Sequence, residues 1–134
     1  MLQPRGILVW LWHWLPPLAL MGIIFSLSAQ PVLPQAPGPW LDAFLKKLSH
    51  MIEYTMLFLL LWRAWRHSRP RLPAMHAALW LTAAYAVSDE VHQSFVPGRH
   101  ANWYDVLFDV SVPLLLWWIG RRGTFRRKDQ DLSK

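Results

Sequence analysis

The chain has 134 residues, no cysteine and a formal net charge of +6. The length is too short for two ordinary domains, and the lack of cysteine excludes disulfides and thiolate metal sites. Apolar residues make up 54% of the chain, with ten Trp; they fall in long blocks with the arginines between or after them, which sets aside a soluble nucleic-acid binder and points to a bilayer.

A transmembrane helix needs about 20 mostly apolar residues. The first block runs over residues 6–27, with His13 but no formal charge. Read as a secretory signal peptide, it would have Arg5 as its basic start and Ser28-Ala29 as its cleavage site. It is longer than a usual signal core, and its removal leaves an odd number of spans. The second block, 48–62, is polar at its start. The third, 72–88, is short and Ala-rich; it reads as a helix packed inside a bundle, with a re-entrant segment as the alternative. The fourth covers 103–120 and carries Pro113, where a kink is expected. No internal repeat is present. The expected fold is all-α, a four-transmembrane-helix bundle over residues 1–120 with a basic, frayed tail over 121–134.

Short-loop Lys and Arg counts set the orientation. Four spans place Arg5, then Arg63, Arg66, Arg69 and Arg71, then Arg121, Arg122, Arg126, Arg127, Lys128 and Lys134 on one side. The other side keeps Lys46, Lys47 and Arg99. Both termini are therefore expected in the cytoplasm. Trp10, Trp12, Trp14, Trp62, Trp65, Trp117 and Trp118 fall at the inner interface, and Trp40 and Trp103 at the outer one.

The acids have the opposite bias. Asp42, Glu53, Asp89, Glu90, Asp105 and Asp109 map to the outer side, and only Asp129 and Asp131 to the inner. Loop solvation accounts for Asp42 but poorly for Glu53 and Asp109, which lie within apolar runs. An ionisable group at a span's centre costs about 2.5–3.5 kcal/mol, and less near an interface, so such groups normally face a bundle interior or a wet cavity. Helical spacing supplies partners. Lys46 or Lys47, His50, Glu53 and Tyr54 share a face at the top of the second helix. Asp89, His92 and Gln93 share one at the end of the third, with Tyr85 a turn deeper. Asn102, Asp105 and Asp109 stripe the fourth, and Ser26, Ser28 and Gln30 end the first. Val96-Pro97-Gly98-Arg99 predicts a tight turn that sets the Arg99 guanidinium beside the acids. Together the stripes predict one outward-facing pocket. The plainer readings stand beside it: Glu53 and Asp109 fix helix register with His50 and Arg99, the lysines snorkel, and His13, His67, His76 and His100 are packed or loop residues.

The string Ser88-Asp89-Glu90-Val91-His92-Gln93-Ser94-Phe95-Val96-Pro97-Gly98-Arg99, followed by Asp105, resembles the signature of the VanZ-like family. Phe25, Ser26 and Gln30 are similar to the family's Phe-Ser-x-x-x-Gln element, and Lys47, His50, Glu53 and Tyr54 to the element that opens its second helix. Asp109 stands where the family usually has Asn, and Val112-Pro113 replaces a Gly-rich continuation. The resemblance implies a small polytopic membrane protein of bacteria. Its founding member confers resistance to teicoplanin, a glycopeptide that acts outside the cytoplasmic membrane, and many relatives have no such connection.

Three functions follow from the polar cluster. In the first, an outer pocket acts on a lipid-linked or amphiphilic envelope substrate. Glu53, Asp89, Glu90, His92 and Asp105 are then the candidate acid–base residues, and Gln30, Lys47, His50, Gln93, Arg99 and Asp109 the candidate substrate ligands. In the second, the same pocket captures an amphiphilic ligand or antibiotic without chemistry. The third is a metal site built on His50-x-x-Glu53 and Asp89-x-x-His92; His-Glu-x-x-His is absent, so no metal ligand and no cofactor is assigned. A transporter is disfavoured by the lack of a repeated half. The expected partner is a membrane lipid or lipid-linked small molecule, not nucleic acid, with a homo-oligomer left open.

Overall fold

The computed structural model describes residues 4–31, 37–68, 73–99 and 101–131, with backbone alone for residues 4–5 and 123–131. Arg69, Arg71, His100 and Lys134 lie outside the described residues, as do the side chains of Arg5, Arg126, Arg127, Lys128, Asp129 and Asp131. The chain is all-α. Four helices, α1 (Pro4–Ser28), α2 (Pro39–Ser68), α3 (Ala74–Gln93) and α4 (Trp103–Asp131), follow one another, with no strand among the described residues.

Helix α2 starts nine residues before the apolar block does. Pro39 opens it, where the missing N–H costs no helical bond, and Asp42 in its first turn complements the helix dipole. The first three turns are amphipathic and not apolar, so hydropathy passes over them. Helix α3 is one unbroken helix of 20 residues. The backbone of α4 stays helical to Asp131, where a frayed tail was expected after Gly120.

Helix α2 packs against all three others, α3 against α4 and more lightly against α1, while α1 and α4 do not touch among the described residues. The core is Ile24 of α1, Tyr54, Leu57, Phe58 and Leu61 of α2, and Ala78 and Ala86 of α3. Ala74, Ala78, Thr82 and Ala86 recur every four residues and are all buried. A ridge of small side chains lets α3 lie close to its neighbours. Thr82 Oγ1 returns its proton to the Ala78 carbonyl at 2.8 Å, so the buried hydroxyl is satisfied within its own helix.

Two prolines interrupt α1. Pro16 has no N–H for the Trp12 carbonyl four residues earlier. That carbonyl accepts instead from Arg63 Nη2 of α2, at 3.4 Å. At the same end of the bundle, Trp14 Nε1 donates to Ser68 Oγ at 2.7 Å, and the His13 and His67 rings stack 4.0 Å apart. His76 meets Trp117 edge-on. The Arg121 and Arg122 guanidinia lie 4.8 and 3.5 Å from the Trp117 and Trp118 rings. This end is thus a belt of Trp and Arg. The acids gather at the other.

By length and composition α1 is the one described helix apolar enough to cross a membrane. The other three are diluted by the charged residues at their ends. Their outward faces are nevertheless apolar: Trp80, Val91, Leu107 and Leu115 are all exposed.

Candidate functional site

A cleft of about 400 Å³ opens at the end of the bundle away from the Trp–Arg belt. It is built from the first three turns of α2, the last turn of α3, the turn after α3 and the first two turns of α4. From α2 come Asp42, Ala43, Lys46, Lys47 and His50; from α3, Glu90 and Gln93; from the turn, Gly98 and Arg99; from α4, Asp105, Phe108 and Asp109. Residues 42–50 of α2 thus meet residues 90–109, from the end of α3 to the start of α4, in one polar cavity.

The turn is type II. Arg99 N–H donates to the Val96 carbonyl at 3.1 Å, Pro97 holds the first corner, and Gly98 takes the second with φ +81°. That left-handed backbone is cheap only for glycine. A Cβ on Gly98 would also sit 3.5 Å from the Pro31 carbonyl.

The turn aims Arg99 at the end of α1, not at an acid. Its Nε donates to the Gln30 carbonyl and its Nη2 to the Leu27 carbonyl, both at 3.2 Å. The last carbonyls of a helix have no partners within it, and the guanidinium supplies them. The expectation that Arg99 sits beside the carboxylates is therefore met only in that both line the same cleft. Gln30 enters this contact through its backbone, and its side chain is exposed and away from the cleft lining.

Each other cation of the cleft has an acidic neighbour. Lys46 Nζ lies 2.6 Å from Asp42 Oδ2, one turn apart on α2. Lys47 Nζ lies 2.6 Å from Asp105 Oδ1 and 4.4 Å above the Phe108 ring, which ties α2 to α4. His50 Nδ1 is 3.7 Å from Asp109 Oδ1, deeper in the cleft. Glu90 accepts from the Asn102 backbone N–H, which anchors the start of α4 to the end of α3. Burial orders these groups: Asp109, Gln93 and Glu90 are 3%, 7% and 9% exposed, whereas the side chains of Lys46 and Lys47 are 37% and 49% exposed.

Asp89 stands behind the cleft in a buried node. Its Oδ2 accepts from Ser28 Oγ of α1 at 2.9 Å, Tyr54 OH of α2 at 3.1 Å and Gln93 Nε2 of its own helix at 3.0 Å. One carboxylate oxygen thus gathers three helices. Its Oδ1 is buried with no hydrogen-bond partner among the described residues. Because the carboxylate can only accept, the Gln93 amide must turn its nitrogen inward. Gln93 itself lines the cleft, and its Oε1 has no described partner.

The remaining candidates lie outside the lining. The His92 ring stacks on Phe25 of α1 at 4.2 Å, with its Nε2 buried and unpartnered. Two residues on a helix are about 200° apart, so with Glu90 on the cleft, His92 points away from it. Glu53 is half-buried one turn below His50, within electrostatic reach of His50, Asp109 and Asp89. The sequence reading left out Asp42 and Phe108. Asp42 carries a signal, since it lies four residues before Lys46 and eight before His50; Phe108 carries none, as an aromatic ring beside an acid is ordinary. Among the described residues no three His, Asp or Glu side chains converge to hold a metal ion.

A sequence model described as VanZ/LLP1 matches residues 7–122, which takes in α2 and α3, most of α1 and α4, and every residue of the cleft. Searches of curated proteins and of solved structures return no match.

Proposed function

The chain belongs to the VanZ/LLP1 family, and from that premise we propose that it spans the bacterial inner membrane four times, with both termini in the cytoplasm, and that its cleft opens outward to act on a lipid-linked or amphiphilic envelope molecule. The observation that carries the bilayer placement is an inverted polarity. Trp80 is 74% exposed and Leu8 67%, while Asp89, Asp109 and Thr82 are buried. A soluble bundle gains nothing by that exchange; a lipid-facing one must make it. Helix α3, the shortest at 20 residues, is about 30 Å long and so matches the hydrocarbon thickness.

The chemistry supported by the cleft is acid–base work. The His50–Asp109 pair, Glu90 and Asp105 can hold or move protons. Asp89 holds Gln93, and Glu53 supplies charge one turn below. Among the described residues no Ser, Thr or Cys lines the cleft, so a nucleophile there is water, a group of the substrate, or one of the lining carboxylate, imidazole or lysine side chains.

The Phe108 ring on the cleft wall, 4.4 Å beneath Lys47 Nζ, supports the second reading, a non-catalytic binder for an amphiphilic ligand or antibiotic. Purified protein incubated with an envelope lipid extract, with products followed by mass spectrometry, separates the two. Under the first reading a lipid species is converted, and Glu90→Gln stops it with the fold intact. Under the second no species changes, while lipid co-purifies and Lys47→Ala releases it. A role in glycopeptide resistance is tested by expression in a susceptible host: protection against teicoplanin that Glu90→Gln or Lys47→Ala removes supports it, and unchanged susceptibility on expression of the intact chain rejects it.

A further inference from the structure

The cleft has an internal order of charge that neither a simple anion nor a simple cation matches. Its floor holds three acceptor residues at least nine-tenths buried, Asp109, Glu90 and Gln93, with His50 3.7 Å from Asp109 and none of the described cations paired to Glu90. Gln93 lines the cleft with its Nε2 committed to Asp89 at 3.0 Å and Ser28 at 3.4 Å, which leaves Oε1 as the amide atom with no described partner. The rim carries three cations, Lys46, Lys47 and Arg99, against two acids, Asp42 and Asp105. Arg99 uses Nε and Nη2 on the end of α1, so the two N–H groups of Nη1 remain for a ligand. The lysine pairs are partly exposed; such pairs are weak and readily exchange partners. A phosphate on the floor would meet Asp109 and Glu90, whereas an ammonium there would meet Glu90, which has no described cationic partner, and a phosphate at the rim would meet the exposed lysines and Arg99.

We propose that the cleft takes a headgroup bearing a primary ammonium beyond a phosphate, the chemistry of phosphoethanolamine, with the ammonium against Gln93 Oε1 and Glu90 and the phosphate at Lys46, Lys47 and Arg99. The inference rests on the reading of the cleft as the substrate site. It sets three discriminations. A quaternary ammonium has no N–H to give Gln93 Oε1. A glycerol headgroup has no charge to meet Glu90. A free phosphoethanolamine satisfies the polar cleft but brings no apolar chain for Phe108 and the apolar surface around it.

The test uses the full chain in detergent micelles and short-chain lipids, with dissociation constants read by calorimetry. Dihexanoyl phosphatidylethanolamine is expected to bind about tenfold tighter than the matching phosphatidylcholine or phosphatidylglycerol, the ratio expected for one charged hydrogen bond. Glu90→Gln, which keeps an acceptor for Asn102, should lose most of that ratio and leave phosphatidylglycerol binding within about twofold. Gln93→Leu should do the same; if circular dichroism shows it unfolded, Glu90→Gln decides. Equal affinity for all three lipids, or a ratio unchanged in Glu90→Gln, overturns the proposed head order. If in that case Lys47→Ala still abolishes binding, the cleft remains the lipid site and only the order is wrong. If no lipid binds, the reading of the cleft falls with it. Free phosphoethanolamine binding as tightly as the lipid keeps the head order and identifies a water-soluble ligand; weaker binding assigns a lipid.

Discussion

The hydroxyl of Tyr54 donates to Asp89 Oδ2 at 3.1 Å, joining α2 to α3 across 35 positions of sequence. Tyr54 is 0% exposed and Asp89 3%, so the bond lies in the interior, where a polar group without a partner is costly. The same oxygen accepts from Ser28 and Gln93. The node therefore sets how three helices meet, and through Gln93 it sets what the cleft presents.

Tyr54→Phe removes one of three donors and should cost about 1 kcal/mol, since polar contacts inside membrane bundles are individually modest. Asp89→Leu strands the Ser28 and Tyr54 hydroxyls and the Gln93 amide together and should cost about 3 kcal/mol or more. Thermal unfolding in micelles, followed by Trp fluorescence, checks both. Equal losses from the two substitutions would mean that the node is not a unit.

Gly98→Ala puts a side chain on a backbone with φ +81°. The strain should cost about 1–3 kcal/mol, and it should fall on the turn and not on the core. The expected signature is faster amide exchange over residues 95–101 with the centre of α2 still protected. Arg99→Lys should loosen the same segment, because one ammonium cannot reproduce the Nε and Nη2 contacts to the Gln30 and Leu27 carbonyls.

Gly120 of α4 faces the side chain of Met75 of α3. A Cβ there would lie 2.7 Å from Met75 Cε and 2.8 Å from its Sδ. The obstacle is the far end of a flexible side chain. Gly120→Ala should therefore be tolerated within about 0.5 kcal/mol. Gly120→Leu should destabilise by about 1–3 kcal/mol, and Met75→Ala should restore much of that loss in the double variant. Thermal unfolding of the four proteins closes the cycle, and additive losses would contradict a direct Gly120–Met75 contact.

Much of this site was legible in the sequence. Hydrophobic blocks and i, i+3, i+4 spacing were enough to bring His50, Glu90, Gln93, Asp105 and Asp109 to one end of the chain's helices, and Pro97-Gly98 gave the turn. Other features depend on helix rotation and backbone partners, which spacing does not carry. Asp89 and His92 share a stripe by spacing, yet the packing of α1 turns Asp89 into the interior and His92 onto Phe25. The choice of Arg99 for the carbonyls that end α1 has no sequence signal, because unpaired backbone groups look the same at every helix end. The early start of α2 was hidden for a simpler reason: its first three turns carry Asp42, Lys46 and Lys47 and fail any test of apolarity.

An envelope substrate requires a cleft that faces the exterior. The chain has no cysteine, so single Cys substitutions report without background. Ala43→Cys at the cleft and Arg66→Cys near the Trp–Arg belt, probed in intact cells with a membrane-impermeant maleimide, test it directly. Ala43→Cys is predicted to label from outside and Arg66→Cys only after the membrane is permeabilised. Labelling of Arg66→Cys in intact cells with Ala43→Cys protected would put the cleft on the cytoplasmic side and contradict an envelope substrate.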